Sequence, residues 1–139
     1  MRQTRIYRVL FPVQTRKFKF KRWVKISLRT MHLIGIAGIG AFFFFDIPRT
    51  NFLPYLYLTV FSGISFVILE IWGNAIWLIQ LRGVLLLLKI ILLSLIPFVH
   101  GHEATILLLV IIISSVISHA PGDVRYFSVI HGKRMDILS

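Results

Sequence analysis

Cysteine is absent from this sequence, and acidic residues are scarce. Without cysteine the chain can form no disulfide, no thiolate metal site, no covalent c-type haem attachment and no cysteine nucleophile. Only five Asp and Glu residues stand against 16 Lys and Arg residues, which gives a formal net charge of +11. The sequence also contains no phosphate-binding loop, no Ser/His/Asp triad and no paired-carboxylate hydrolase motif. A chain without catalytic activity of its own is therefore the favoured interpretation.

Apolar residues fill most of the length. Of the 139 residues, 57% are hydrophobic, and the mean hydropathy is +0.83. This exceeds what one small soluble core can bury. We predict an all-α integral membrane protein in which residues 24–120 form a four-transmembrane-helix bundle. The four helices are expected at residues 24–45, 53–72, 75–99 and 104–119.

The cations concentrate towards the two ends of the chain. Ten of the 16 lie within residues 2–29. Residues 1–23 alternate cations with aromatic and apolar side chains, which predicts a basic interfacial arm on anionic lipid headgroups. Residues 121–139 form a second basic tail. The positive-inside rule then places both termini in the cytoplasm, and we expect a bacterial inner membrane location. Nucleic acid is not an expected partner, because no nucleic-acid-binding module accompanies the charge.

The third apolar segment carries two cations. Arg82 and Lys89 are seven residues apart and share one helical stripe, where a cation is costly unless it snorkels, finds a partner or lines a wet cavity. We predict that Glu70 pairs with Arg82, and that Lys89 is either neutral or answered by a ligand or a neighbouring subunit. The three residues form either a proton or anion path or a structural cluster. In an alternative arrangement residues 75–82 lie in the interface and the helix begins near Gly83.

Two histidines are candidates for haem binding. His32 on segment one and His119 on segment four can act as axial ligands of a b-type haem, as imidazoles on facing helices do. Arg29, Arg82 and Arg125 can pair with the haem propionates. The alternative is that His32 is a hydrogen-bonding residue of the bundle and His119 a polar helix end.

A second cluster of possible ligands lies in the loop between segments three and four. His100, His102 and Glu103 offer imidazole and carboxylate groups for copper or zinc. The alternative is a solvated loop, because a closed zinc site uses about four ligands.

Two stretches carry a family resemblance. Residues 29–49 (RTMHLIGIAGIGAFFFFDIPR) resemble the first helix of copper-resistance-D-type membrane proteins and HemJ-type protoporphyrinogen oxidases, and residues 81–93 (LRGVLLLLKIILL) are similar to a lysine-bearing helix of the same group. The resemblance implies a four-helix membrane fold. It also implies that His32 is the haem or metal ligand and that Lys89 is the characteristic lysine.

These features predict an accessory or electron-transfer subunit of a larger membrane complex, binding b-type haem. Its expected partners are the lipid bilayer and either other membrane subunits or further copies of the same chain. The alternatives are a HemJ-like porphyrinogen-oxidising enzyme and a protein that handles copper or transports small ions.

Overall fold

The chain folds mostly into helices. A computed structural model describes residues 5–12 and 14–135, so the first four residues of the predicted arm and the last four of the predicted tail lie outside the described residues. The α-helices are α1 (Arg5–Leu10), α2 (Lys21–Phe44), α3 (Arg49–Gly73), α4 (Leu81–Ser94), α5 (Glu103–His119) and α6 (Gly122–Arg125). Short 3₁₀ helices at Ala75–Leu78 and Ile96–Phe98 flank α4, and an antiparallel hairpin of β1 (Phe127–Ser128) and β2 (Lys133–Arg134) follows α6.

Among the described residues, two helices are long and apolar enough to cross a membrane, at Lys21–Phe44 and Thr50–Gly73. In the most apolar window of each, only 11% and 6% of the residues are buried within the protein. The core helix of a soluble protein is mostly buried, so these helices instead present apolar side chains to their surroundings. The prediction of long apolar helices in the first two segments is confirmed.

The third segment differs from the single helix predicted over residues 75–99. The side-chain oxygen of Asn74 accepts a hydrogen bond from the backbone N–H of Ile76, and the 3₁₀ helix Ala75–Leu78 begins at the next residue. Gln80 then adopts an extended conformation, and α4 begins after it. A break in the segment was part of the alternative arrangement, but α4 begins at Leu81 and so includes Arg82, two residues before the expected start near Gly83; the interfacial position of residues 75–82 stays a prediction. The 14 residues of α4 measure about 21 Å, less than the hydrocarbon thickness of about 30 Å. The fourth segment forms α5 nearly as predicted.

The chain divides into two compact units, and the boundary falls between Leu69 and Glu70. The α2/α3 unit spans Lys17–Leu69. The α4/α5 unit contains the residues up to Arg16 and those from Glu70 onward.

Small residues bring α2 and α3 together as an antiparallel pair. A Cβ added at Gly35 would overlap Thr59 Oγ1 and would lie 2.9 Å from the backbone nitrogen of Thr59. A Cβ added at Gly38 would overlap the ring of Tyr55. The two helices therefore approach at a distance that only glycine permits, which is the common use of small residues between membrane helices.

The connection before α4 is buried within the α4/α5 unit. Ala75, Ile76 and Trp77 are buried, and the side chain of Gln80 is 1% exposed. The C-terminal hairpin covers this connection: Val129 N–H donates to the carbonyl oxygen of Ile79 at 3.1 Å, and Gln80 Nε2 donates to that of Met135 at 2.7 Å. The described part of the predicted basic tail is therefore a folded element.

The N-terminal arm is attached to the C-terminal end of α3. The backbone N–H of Arg16 donates to the carbonyl oxygen of Gly73 at 3.1 Å, and Arg16 Nη1 donates to that of Trp72 at 3.2 Å. Asn74 Nδ2 donates to the carbonyl oxygen of Pro12 at 3.2 Å. A cation at this end complements the negative pole of the helix dipole, so Arg16 caps α3.

Candidate functional site

His32 lies between α2 and α3 in the α2/α3 unit. Its Nδ1 is 2.9 Å from the carbonyl oxygen of Thr59 and 3.3 Å from Ser62 Oγ. Because a carbonyl oxygen only accepts, Nδ1 carries the proton, and in the neutral ring the lone pair is on Nε2. A Cβ added at Gly63 would lie 3.1 Å from His32 Cε1, so a glycine faces the ring. A backbone carbonyl that fixes the tautomer in this way is typical of metal-ligating histidines.

Arg29 lies one helical turn before His32 on α2. Its guanidinium carbon is 5.0 Å from the centre of the Phe66 ring, and Lys25 Nζ is 6.0 Å from the same ring. Residues three apart share a helix face, so the structure brings Arg29 and His32 onto one side of α2. The aromatic face stabilises the guanidinium by a cation–π interaction.

The other two predicted haem-site residues belong to the α4/α5 unit. His119 ends α5, is exposed, and holds its Nδ1 2.9 Å from the carbonyl oxygen of Ser115. Arg125 is half-buried at the end of α6. A site that unites His119 and Arg125 with the α2 residues stays a prediction from the sequence.

Lys89 has a partner within the chain that the sequence analysis missed. Its Nζ donates to Ser114 Oγ at 3.1 Å, from α4 to α5, and the lysine is half-buried. We expected a ligand or a neighbouring subunit because no carboxylate was near in the sequence pattern. The sequence did contain a neutral candidate for this partner, because Ser114 and Ser115 are the only adjacent serines in the apolar run of α5.

Arg82 is held at the start of α4. Its Nε donates to Gln80 Oε1 at 2.7 Å, and its guanidinium carbon lies 4.7 Å from the centre of the Tyr126 ring. Glu70 is buried in the last turn of α3, and its pairing with Arg82 stays a prediction. Neither Gln80 nor Tyr126 was expected to position this arginine.

Three arginines surround the ring of Tyr126, and we name this set the arginine cluster. The guanidinium carbons of Arg82, Arg134 and Arg125 lie 4.7, 5.4 and 5.9 Å from the ring centre. Arg134 Nη1 also donates to Asp123 Oδ1 at 2.6 Å in an exposed ion pair. The sequence analysis grouped Arg82 and Arg125 as partners of the haem propionates, but it did not include Arg134 or the ring of Tyr126.

The predicted metal ligands lie around the turn before α5. His100 and His102 are exposed, His102 Nδ1 is 3.4 Å from the carbonyl oxygen of His100, and Glu103 is the first residue of α5. Over residues 5–12 and 14–135, no group of three His, Asp or Glu side chains converges to hold a metal ion. The structure therefore does not bring these three residues together, because Gly101 turns the chain with a φ of 84° and Glu103 is already helical.

Comparison of this chain with protein-family models, with curated proteins and with solved structures found no match. The resemblance to copper-resistance-D-type and HemJ-type proteins accordingly stays an expectation.

Proposed function

We propose that this chain is a small integral membrane protein that acts as an accessory subunit of a larger membrane complex. The observation that carries this proposal is that the protein leaves the apolar side chains of α2 and α3 uncovered. In the most apolar windows of these two helices, only 11% and 6% of the residues are buried. Most of the exposed large apolar side chains lie on α2 to α5. Full burial of one large apolar side chain is worth about 1.5–3 kcal/mol relative to its exposure to water. Lipid or a partner subunit therefore has to cover these side chains.

The finer arrangement that we propose is a bundle of four spans with both termini in the cytoplasm. The chain continues from α4 into the 3₁₀ helix Ile96–Phe98, and this lengthens the apolar path of the third segment. The 17 residues of α5 reach the lower limit of about 17 residues for a membrane-spanning helix. The cations of the arm and of the hairpin then lie on the cytoplasmic side, as the positive-inside rule requires.

Membrane extraction and reporter fusions test this arrangement. The full chain, expressed in bacteria, should stay in the membrane fraction through an alkaline carbonate wash. A fluorescent protein fused after Ser139 should fluoresce, whereas alkaline phosphatase at the same position should be inactive. Release of the chain by carbonate would refute membrane integration, and active phosphatase would refute the orientation.

The accessory role has a separate test. A tagged full chain should be purified in a mild detergent and its mass determined by native mass spectrometry. We expect other membrane subunits, or further copies of this chain, at fixed stoichiometry. Two results together would contradict the proposal. The chain would purify as a monomer without other subunits, and its deletion would leave every membrane complex intact.

A b-type haem is a second candidate that we propose from the geometry of His32. The Thr59 carbonyl orients the ring with its lone pair on Nε2, and this is the nitrogen that binds haem iron in most haem proteins. Arg29 on the same face can pair with a propionate. The second ligand, His119, is predicted from the sequence. Bound haem would supply one-electron transfer.

An absorption spectrum tests the haem proposal. The full chain purified from haem-supplemented cells should show a Soret band that His32→Ala abolishes. His119→Ala should convert a six-coordinate low-spin signal to a high-spin one in electron paramagnetic resonance. His100→Ala is the matched control, because this exposed histidine should leave the spectrum unchanged. A Soret band that survives His32→Ala, or no band at all, would refute haem binding at this residue.

A further inference from the structure

Lys89 places a cation on an apolar surface of α4. The lysine lies eight residues after Leu81 and five before Ser94, so it is away from both ends of the helix. It is half-buried. The apolar side chains at the four nearest positions of the helix are exposed: Leu87, Leu88, Ile90 and Ile91. A cation within the apolar part of a membrane helix is rare and indicates a specific partner.

One neutral hydrogen bond holds the amino group of this lysine. Lys89 Nζ donates to Ser114 Oγ at 3.1 Å, and within residues 5–12 and 14–135 this is the one polar contact of Nζ. An ammonium group has three N–H donors, so the hydroxyl accepts one of them. Because the hydroxyl carries no net charge, the hydrogen bond fixes the position of the cation without balancing its charge.

Two apolar side chains flank this hydrogen bond on one side. Residues 95–102 join α4 to α5, and the two helices pack against each other as an antiparallel pair. Leu93 lies one turn after Lys89 on α4, and Ile111 lies one turn before Ser114 on α5, so both are on the same side of the hydrogen bond. Both are exposed. We name these four residues the Lys89 face.

A second copy of this chain does not offer a carboxylate at this depth. Four of the five acidic residues are described, and each lies at an end of a long helix or outside one: Asp46, Glu70, Glu103 and Asp123. Glu70 is also buried. The fifth, Asp136, follows the C-terminal hairpin in the sequence. Copies of one chain share an orientation in the membrane, so these carboxylates would lie near the membrane surfaces.

We infer that the Lys89 face docks a membrane helix of a different subunit, and that this helix carries an Asp or Glu side chain that pairs with Lys89. Charge complementarity favours this occupant over lipid, because acyl chains offer no acceptor to an ammonium group. Small or apolar side chains of the same helix would cover Leu93 and Ile111. The inference rests on the proposed accessory role, and it names the chemistry of the partner.

Substitutions of the lysine in the intact complex test the ion pair. The tagged full chain is purified with its complex in mild detergent from its own cells, and native mass spectrometry gives the fraction bound to other subunits. Lys89→Met should lower this fraction by about tenfold or more, because the carboxylate of the partner then stays unpaired in the membrane. Lys89→Arg should retain most of the complex, since it keeps the charge.

Two controls separate the ion pair from other effects. Lys133→Met removes an exposed cation in β2 and should leave the bound fraction within about twofold of the wild type. The unfolding midpoint of the isolated Lys89→Met chain in detergent should match that of the wild type, which excludes misfolding as the cause of the loss.

Photo-cross-linking identifies the acidic residue of the partner. Benzoylphenylalanine in place of Leu93 or Ile111 should link to a membrane helix that contains Asp or Glu. In place of Ile112, which is exposed and points away from the Ser114 side of α5, it should not link to that helix. Lys89→Glu should release the partner, and Lys89→Glu combined with a change of the partner's acid to Lys should restore the complex.

Four results would each refute the inference. These are an unchanged bound fraction in Lys89→Met, a linked segment without Asp or Glu, a linked segment from a second copy of this chain, and no recovery on exchange of the two charges. In each of these cases the wild-type chain still joins a complex, so the accessory role stands. A wild-type chain that joins no complex overturns both proposals.

Discussion

The contact between Gly35 and Thr59 allows a quantitative prediction for Gly35→Ala. The added Cβ would overlap Thr59 Oγ1 and lie 2.9 Å from the backbone nitrogen of Thr59. Thr59 Oγ1 already donates to the carbonyl oxygen of Tyr55 at 2.8 Å, and the backbone nitrogen cannot rotate away, so α2 and α3 have to separate. Overpacking costs about 1–3 kcal/mol, and the better helix propensity of alanine returns about 1 kcal/mol. Because the overlap includes a backbone atom, we take the upper part of the overpacking range, about 2–3 kcal/mol, and expect a net destabilisation of about 1–2 kcal/mol.

Unfolding in mixed detergent micelles measures this cost. Helix content is followed by circular dichroism as the mole fraction of dodecyl sulfate increases. Ala37→Leu is the control, because this residue is exposed on the same helix and its enlargement meets no partner helix in the α2/α3 unit. Adding Thr59→Ala to Gly35→Ala should recover part of the loss but not all, since the backbone contact remains. A Gly35→Ala protein as stable as the wild type would refute the close approach of the two helices.

Three further predictions concern polar side chains of the α4/α5 unit. Lys89→Met should change the free energy of unfolding by less than about 1 kcal/mol. Ser114→Ala should lower it by about 1–3 kcal/mol, because a half-buried cation then has lost its acceptor. A larger loss of stability in Lys89→Met than in Ser114→Ala would contradict this prediction. Gln80→Ala should cost about 1–3 kcal/mol and expose the C-terminal hairpin to trypsin, measured by the rate of cleavage. Arg82→Leu and Glu70→Leu should each reduce assembly, and the double variant should partly restore it if the two residues pair; additive losses would exclude the pairing.

The helix ends show what local sequence predicts well. Helix α2 ends at Phe44, one residue before the predicted end, because Phe45 adopts an extended conformation ahead of Pro48. Helix α5 ends at His119 as predicted, before Pro121. Apolar runs and proline act locally, so their effect can be seen without knowing the fold.

The connection before α4 shows what local sequence cannot predict. Gln80 lies in an apolar run and suggests an exposed polar position on a membrane helix. In the structure it is buried because Met135, 55 residues later, supplies its acceptor. Ser128 is likewise fully buried against the same connection, with which it pairs at Gln80. The hairpin is basic and short, and nothing in its own pattern shows that it covers this turn.

The scarcity of acidic residues explains how this chain treats its cations. With five carboxylates for 16 Lys and Arg residues, ion pairs cannot satisfy most of them. Aromatic rings and neutral oxygens contact several of the cations: Arg29 lies on Phe66, Arg16 caps α3, and Lys89 donates to a serine hydroxyl. These partners hold a cation in place without neutralising it, and each cation–π interaction contributes about 0.5–2 kcal/mol. With a net charge of +11, the protein therefore keeps a positive potential that these neutral partners position and do not remove.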